Sequence, residues 1–184
     1  LVSACAHKFH GPKGAGALFI KSPLHPDPIL FGGGHENERR AGTENLPSII
    51  GFTEAAERFI KTPVFPGEKL LLLTDQLLAG AEAIPGVHFR GSRTQRLANT
   101  LSFTVENADS MTLMANLDLE GICASSGSAC SAGSLEPSHV MTALGVGKDE
   151  ANSLIRFSLG RESTAEEVAF VTSVLPQIIE RCRN

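Results

Sequence analysis

The chain has 184 residues, 42% of them apolar and 20% charged, with a formal net charge of −4. This length suits one large domain or two small ones with a sizeable buried core. The acidic balance and the lack of a dense Lys/Arg run argue against a nucleic-acid surface, and the apolar run at 69–73 is far too short to cross a bilayer.

The first six residues are small and apolar and read as a strand. Ala15 to Ile20 reads as a second, with the turn residues His10-Gly11-Pro12-Lys13-Gly14 between them. The start without Met, on strand-like residues, predicts a chain continuing upstream. Pro23, Pro26 and Pro28 mark an irregular crossing, and Gly32-Gly33-Gly34 permits close backbone approach to a ligand. Asn45 and Pro47 predict a helix entrance, and the helix runs through Ile49, Phe52, Ala56 and Phe59. Thr62-Pro63 and Pro66-Gly67 break the chain, which gives two expected domains, 1–62 and 63–184.

In the second domain a helix is expected from Glu68 to Ala83, ended by Pro85-Gly86. Strands are expected at Val87 to Phe89 and Thr100 to Thr104. Ser110 is the expected cap of a helix over 111–120, stopped at Gly121. Ile122 to Ala124 reads as a short strand, 125–134 as a loop of small polar residues, and Ser138 to Leu144 as a short helix. Ile155 to Leu159 alternates as a strand, and Thr164 to Cys182 closes the chain as a helix with acidic residues in its first turn. Strands mixed with helices predict an α/β protein.

The four cysteines, Cys5, Cys123, Cys130 and Cys182, form no CxxC pair and no regular framework. A reducing, cytoplasmic setting is the simpler expectation. Cys130 stands out because its neighbours are Ser, Ala and Gly. A thiol in such a loop has the access that thiolate reactivity requires, although most free cysteines are small apolar fillers. Cys123, after Ile122, reads as core, and Cys182 as incidental. Lys8 follows a small-residue strand, where desolvation can free an amine to form Schiff bases with aldehydes. An ordinary surface lysine is the competing interpretation, and Lys13 is the competing residue. Arg156, in an alternating strand, offers a planar fork to a carboxylate, or else faces water at a strand edge. The histidines at 10, 35, 88 and 139 show no zinc-ligand spacing.

Four stretches together resemble one family. Cys5-Ala6-His7-Lys8-Phe9-His10-Gly11-Pro12-Lys13-Gly14 resembles the cofactor-lysine signature of cysteine desulfurases. Arg39-Arg40-Ala41-Gly42-Thr43-Glu44-Asn45 resembles their phosphate-contact loop, and Ser125 through His139 their active-site cysteine loop. Ile155 through Gly160 resembles their substrate-carboxylate strand. All four occur in the family's order. The cysteine loop and first motif look most like the nitrogen-fixation and iron–sulfur housekeeping branch.

The resemblance implies the fold type I of pyridoxal-phosphate transferases: 1–62 as the C-terminal part of the large cofactor domain, 63–184 as the small C-terminal α/β domain. It implies that Lys8 carries pyridoxal phosphate, with His7 and Cys5 near the phosphate. Thr43 would reach the cofactor of the partner in a homodimer. Arg156 would bind the carboxylate of L-cysteine, and Cys130 would take the sulfur as a persulfide and pass it to an iron–sulfur scaffold or other acceptor protein. Many family members have Ser where this chain has Cys5, and a thiol is the weaker donor. The family's ring-stacking histidine and its aspartate facing the pyridine nitrogen precede the lysine and have no counterpart here, so the chain is expected to be a fragment without a complete cofactor site. A selenocysteine lyase or a desulfurase for tRNA thiolation would share this chemistry. A non-catalytic scaffold, with Cys130 as a shared iron–sulfur ligand, would not need Lys8.

Overall fold

The computed structural model describes residues 1–60, 67–127 and 137–183. The chain divides into two compact units, Leu1–Val64 and Phe65–Asn184, and each combines strands with helices.

In the first unit, β1 (Val2–Cys5) and β2 (Gly16–Phe19) form an antiparallel ribbon with Cys5 opposite Gly16. A single turn of 3-10 helix, Ala6–Phe9, follows β1. The helix α1 (Leu46–Phe59) begins as expected: Asn45 accepts the Ser48 N–H at 3.3 Å, and a proline lies in the first turn. Small residues let α1 settle on the turn after β1. Ala6 is fully buried and Ala55 nearly so. A Cβ at Gly11 would come within 2.8 Å of the Ala6 Cβ and 3.2 Å of the Ala55 Cβ. Only glycine permits that approach. Phe9 and Phe52 meet edge to face at 5.2 Å beside it.

The second unit is built on the antiparallel sheet β3-β4-β5, comprising β3 (Val87–Phe89), β4 (Thr100–Val105) and β5 (Ile155–Ser158). The helices α2 (Gly67–Glu82), α3 (Ser110–Leu119) and α6 (Ala165–Cys182) share one core with it, around Leu77, Phe103, Leu117, Phe157 and Ile178. Phe103 stands edge-on to both Phe89 and Phe157, with centroids 6.0 and 6.3 Å away. Two short helices, α4 (His139–Ala143) and α5 (Lys148–Ala151), form a satellite cluster in which Met141, Ala151 and Leu154 are buried. Among the described residues, no helix is long and apolar enough to cross a membrane.

Three sequence expectations are corrected. The cap of α3 is Asp109, and Ser110 is the first helical residue. Asp109 Oδ1 accepts from Met111 N at 3.0 Å and Thr112 N at 2.9 Å, while Oδ2 accepts from the Thr112 hydroxyl at 2.6 Å. One carboxylate satisfies more orphan donors than a serine hydroxyl can. Residues 122–124 form no strand, because Ile122 N turns back to Leu117 O at 2.9 Å and only Ser125 bridges to the sheet. For the same reason Cys123 is exposed rather than part of the core. Cys182, in contrast, is buried, and burial pushes its thiol above the usual cysteine range.

Asp109 also gives a pH prediction. The hydrogen bonds from Thr112 hold its carboxyl below the usual carboxylate range. A depressed folded value means the cap stabilises fully above the unfolded value of about 3.9 and is lost as pH falls through the folded one. Asp109→Ala should therefore cost about 1 kcal/mol at neutral pH in urea unfolding. The gap between the two proteins should narrow below about pH 4, and a gap independent of acid would contradict this assignment.

Candidate active site

Lys8 lies on the 3-10 turn, not at the mouth of a buried strand as the sequence suggests. β1 is exposed along its length, and among the described residues it pairs only with β2. The turn is nevertheless fixed. Ala6 N donates to Ala15 O at 3.0 Å and Gly11 N donates to Ala6 O at 2.9 Å, so both ends are tied. His10 closes the turn in the left-handed region at φ 67. Between these ties, Cys5, His7 and Lys8 are all exposed. No described residue forms an ion pair with Lys8.

Thr43, in the same unit, is exposed and follows Gly42 at φ 112. It stands two residues before Asn45, the cap of α1. A hydroxyl just ahead of a helix amino end belongs to the usual setting for phosphate, where unpaired backbone N–H groups and the helix dipole favour an anion.

Arg156 belongs to the second unit. Ile155 and Phe157 of β5 are buried in the core, and Arg156 alternates with them on the other face. It lies opposite Ser102 of β4. Its backbone also exchanges two hydrogen bonds with Ser125: Arg156 N to Ser125 O at 2.6 Å and Ser125 N to Arg156 O at 3.0 Å. The Arg156 Nε is buried, and among the described residues nothing accepts its proton. An orphaned buried donor on a cation is costly, and a carboxylate would satisfy it. Cys130 lies outside the described residues.

The donor set fits pyridoxal phosphate. An unpaired primary amine at Lys8 suits an aldehyde. The imidazole of His7 and the thiol of Cys5 lie close to it in sequence and are likewise exposed, and Thr43 offers a hydroxyl to a phosphate. Sequence reasoning named Ser125 only as the start of the cysteine loop and missed its pairing with Arg156. Its link to Arg156 depends on strand register between distant segments, and the Ser-rich composition around it signals only a loop.

Loss of Arg156 should be read mainly in substrate binding. Arg156→Ala is expected to weaken binding of a carboxylate-bearing ligand by about 10²-fold, as for truncation of one partner of a desolvated charge pair. Arg156→Lys should recover only part of this, since a point charge lacks the planar fork. Calorimetric titration with a small amino acid decides, and an unchanged Kd would contradict the carboxylate role.

Residues 1–171 match the model of the aminotransferase class-V family. Over its whole length the chain is 45% identical to "Cysteine desulfurase IscS" of Methanosarcina thermophila and covers 46% of that protein. It is 42% identical to "Cysteine desulfurase NifS" of Azotobacter vinelandii, again over the whole chain and 46% of the relative. Among solved structures, a NifS-like protein from Rickettsia africae ESF-5 superposes with a TM-score of 0.80 at 31% identity, over 95% of this chain and 46% of that one. The chain thus spans about half the length of the curated relatives it matches. The α/β architecture, the lysine turn and the matched span agree: the chain belongs to the aminotransferase class-V family, whose members depend on pyridoxal phosphate.

Proposed function

We propose that the chain serves a cysteine desulfurase, taking sulfur from L-cysteine, releasing L-alanine and holding the sulfur as a persulfide on Cys130. The observation that carries this reading is the buried Nε of Arg156, without an acceptor among the described residues, on a strand laddered to Ser125. A receptor for the substrate carboxylate thereby lies at the root of the segment bearing Cys130. The names of the relatives support the same reading.

Lys8 would hold pyridoxal phosphate covalently, with His7 and Cys5 beside it and Thr43 on a phosphate. The bound cofactor supplies an electron sink for negative charge at the substrate Cα. The Lys8 amine would serve as the base that moves the Cα proton. Arg156 orients the substrate through its carboxylate. The Cys130 thiolate attacks the substrate sulfur, so an S–S bond forms as the substrate Cβ–S bond breaks. The carbon takes the bonding pair and then a proton, giving alanine. Cysteine and the enzyme thiol become alanine and the enzyme persulfide, and atoms and electrons balance.

In this reading residues 1–62 belong to the cofactor domain and 63–184 form the small domain. The protein works as a homodimer in which Thr43 serves the partner's cofactor, and a scaffold or other acceptor protein takes the sulfur. The exposed thiols of Cys5 and Cys123 suit a reducing, cytoplasmic setting. The test is the mass of the Cys130 peptide, without reductant, from cofactor-loaded protein given L-cysteine. One added sulfur is expected. Alanine formed without that sulfur on Cys130 would refute the assignment.

A further inference from the structure

The sheet of the second unit has an apolar face and a polar face. Leu101, Phe103, Val105, Ile155 and Phe157 enter the core. Thr100, Ser102, Thr104 and Arg156 therefore alternate onto the other side. Most hydroxyls on that side are engaged. Thr104, fully buried, donates to Glu150 Oε1 at 2.9 Å and accepts from Arg90 Nε at 2.8 Å. The Thr100 hydroxyl donates to Asn99 Oδ1 at 3.2 Å. On the far flank of β5, the Ser125 hydroxyl donates to the Gly127 carbonyl at 3.0 Å. Ser158, opposite Thr100, is exposed to water. Ser102 differs from all of these. It stands directly opposite Arg156 and is half-buried. Its carbonyl accepts Arg90 N at 2.8 Å. Its hydroxyl has no hydrogen-bond partner among the described residues. An uncommitted donor thus shares a row with the Nε of Arg156 that lacks an acceptor.

We propose that Ser102 is a specificity-determining residue whose hydroxyl donates a second hydrogen bond to the substrate carboxylate received by Arg156. This inference rests on the carboxylate reading of Arg156. Directly opposite residues on one sheet face have Cβ atoms about 4.5–5.5 Å apart. Nε is the guanidinium nitrogen nearest the strand, so a carboxylate drawn to that edge comes close to the Ser102 hydroxyl. An arginine engages a carboxylate through two parallel N–H bonds, and each oxygen keeps a further lone pair. The serine O–H fills one of them. Together the two residues select by charge and by donor pattern. A short molecule ending in a carboxylate satisfies every N–H and O–H on the row. The corresponding amide turns an NH₂ toward donors and leaves part of the site unpaired, which a site built for hydrogen bonding rejects.

The test is binding, not turnover. L-Alanine is titrated into the full chain and followed by NMR, with L-alaninamide as the control that lacks the carboxylate. L-Alanine should shift the Arg156 Nε–H resonance, and L-alaninamide should not. Ser102→Ala should raise the Kd for L-alanine by about tenfold, the scale of one hydrogen bond to a charged group. Ser102→Thr keeps the hydroxyl and suits a strand, so its Kd should stay within about twofold of the parent. Urea unfolding separates this role from a structural one. The hydroxyl removed in Ser102→Ala pairs with no described residue, so the midpoint should not fall. A lower midpoint with unchanged L-alanine binding would overturn the proposal. So would an unchanged Kd in Ser102→Ala while Arg156→Ala still weakens binding, and that result would leave the reading of Arg156 standing. A threonine variant as weak as the alanine one would likewise overturn it. If L-alanine left the Arg156 resonance of the parent unmoved, the carboxylate reading beneath the proposal would itself fall.

Discussion

Lys8→Ala is expected to abolish covalent retention of pyridoxal phosphate and to lower L-cysteine turnover by about 10³-fold or more. Two losses combine. The amine that bonds the cofactor aldehyde is gone, and so is the base that moves the Cα proton, itself worth about 10²–10⁴-fold. The structure makes Lys8 the candidate because its turn is tied at Ala6 and Gly11 and packed on α1, which holds the amine's root in one place. Lys13, also exposed, sits beside Gly14 at φ 87 in the following turn and has none of those ties. Borohydride reduction of the loaded protein followed by peptide mass should find the cofactor on the Lys8 peptide. Lys13→Ala should leave that label in place. A label on Lys13, or turnover surviving in Lys8→Ala, would move the site.

The loss should be readable without turnover. If the chain were only a scaffold for iron and sulfur, Lys8→Ala would leave transfer of sulfur to acceptors unchanged. The borohydride label and the transfer assay therefore separate enzyme from scaffold.

Much of the fold is legible because its signals are local. Asn45 and proline in the next turn start α1. Thr164 and Glu167 make a reciprocal capping box on α6, with Thr164 Oγ1 accepting Glu167 N at 3.2 Å and Glu167 Oε2 accepting Thr164 N at 3.0 Å. Gly121, at φ 74, follows the end of α3 where the sequence places a stop, and Gly86, also at φ 74, turns the chain into β3. The failures are non-local. The helix α5 escapes notice because a single turn has almost no periodicity. It persists through Ala151 in the satellite cluster and the bond from Ser110 N to Asn152 O at 2.9 Å. Cys123 reads as a strand residue until the return of Ile122 N to Leu117 O turns it outward. For the candidate site, composition alone leaves Lys8 and Arg156 as ordinary surface charges. The ordered motifs single them out, and the structure adds what no motif contains: the orphaned Nε of Arg156 and its ladder to Ser125.

Cys130→Ser should lower both persulfide and alanine formation by about 10³-fold or more. The serine hydroxyl is nearly the same size, so little else changes. What disappears is the thiolate, the ionised form that attacks sulfur at neutral pH. Alanine must fall along with the persulfide, because the substrate Cβ–S bond breaks only as the new S–S bond forms. This coupling gives the experiment its force. If alanine continued at the parent rate while free sulfide accumulated, the carbon–sulfur bond would be breaking without the enzyme thiol. Cys130 would then be only an acceptor. Cys123→Ser is the matched control, since Cys123 is an exposed thiol in the same unit. Its chain is tied one residue earlier, at Ile122, by the return to α3. It should keep both products at parental rates, which would show that access alone does not make a thiol competent.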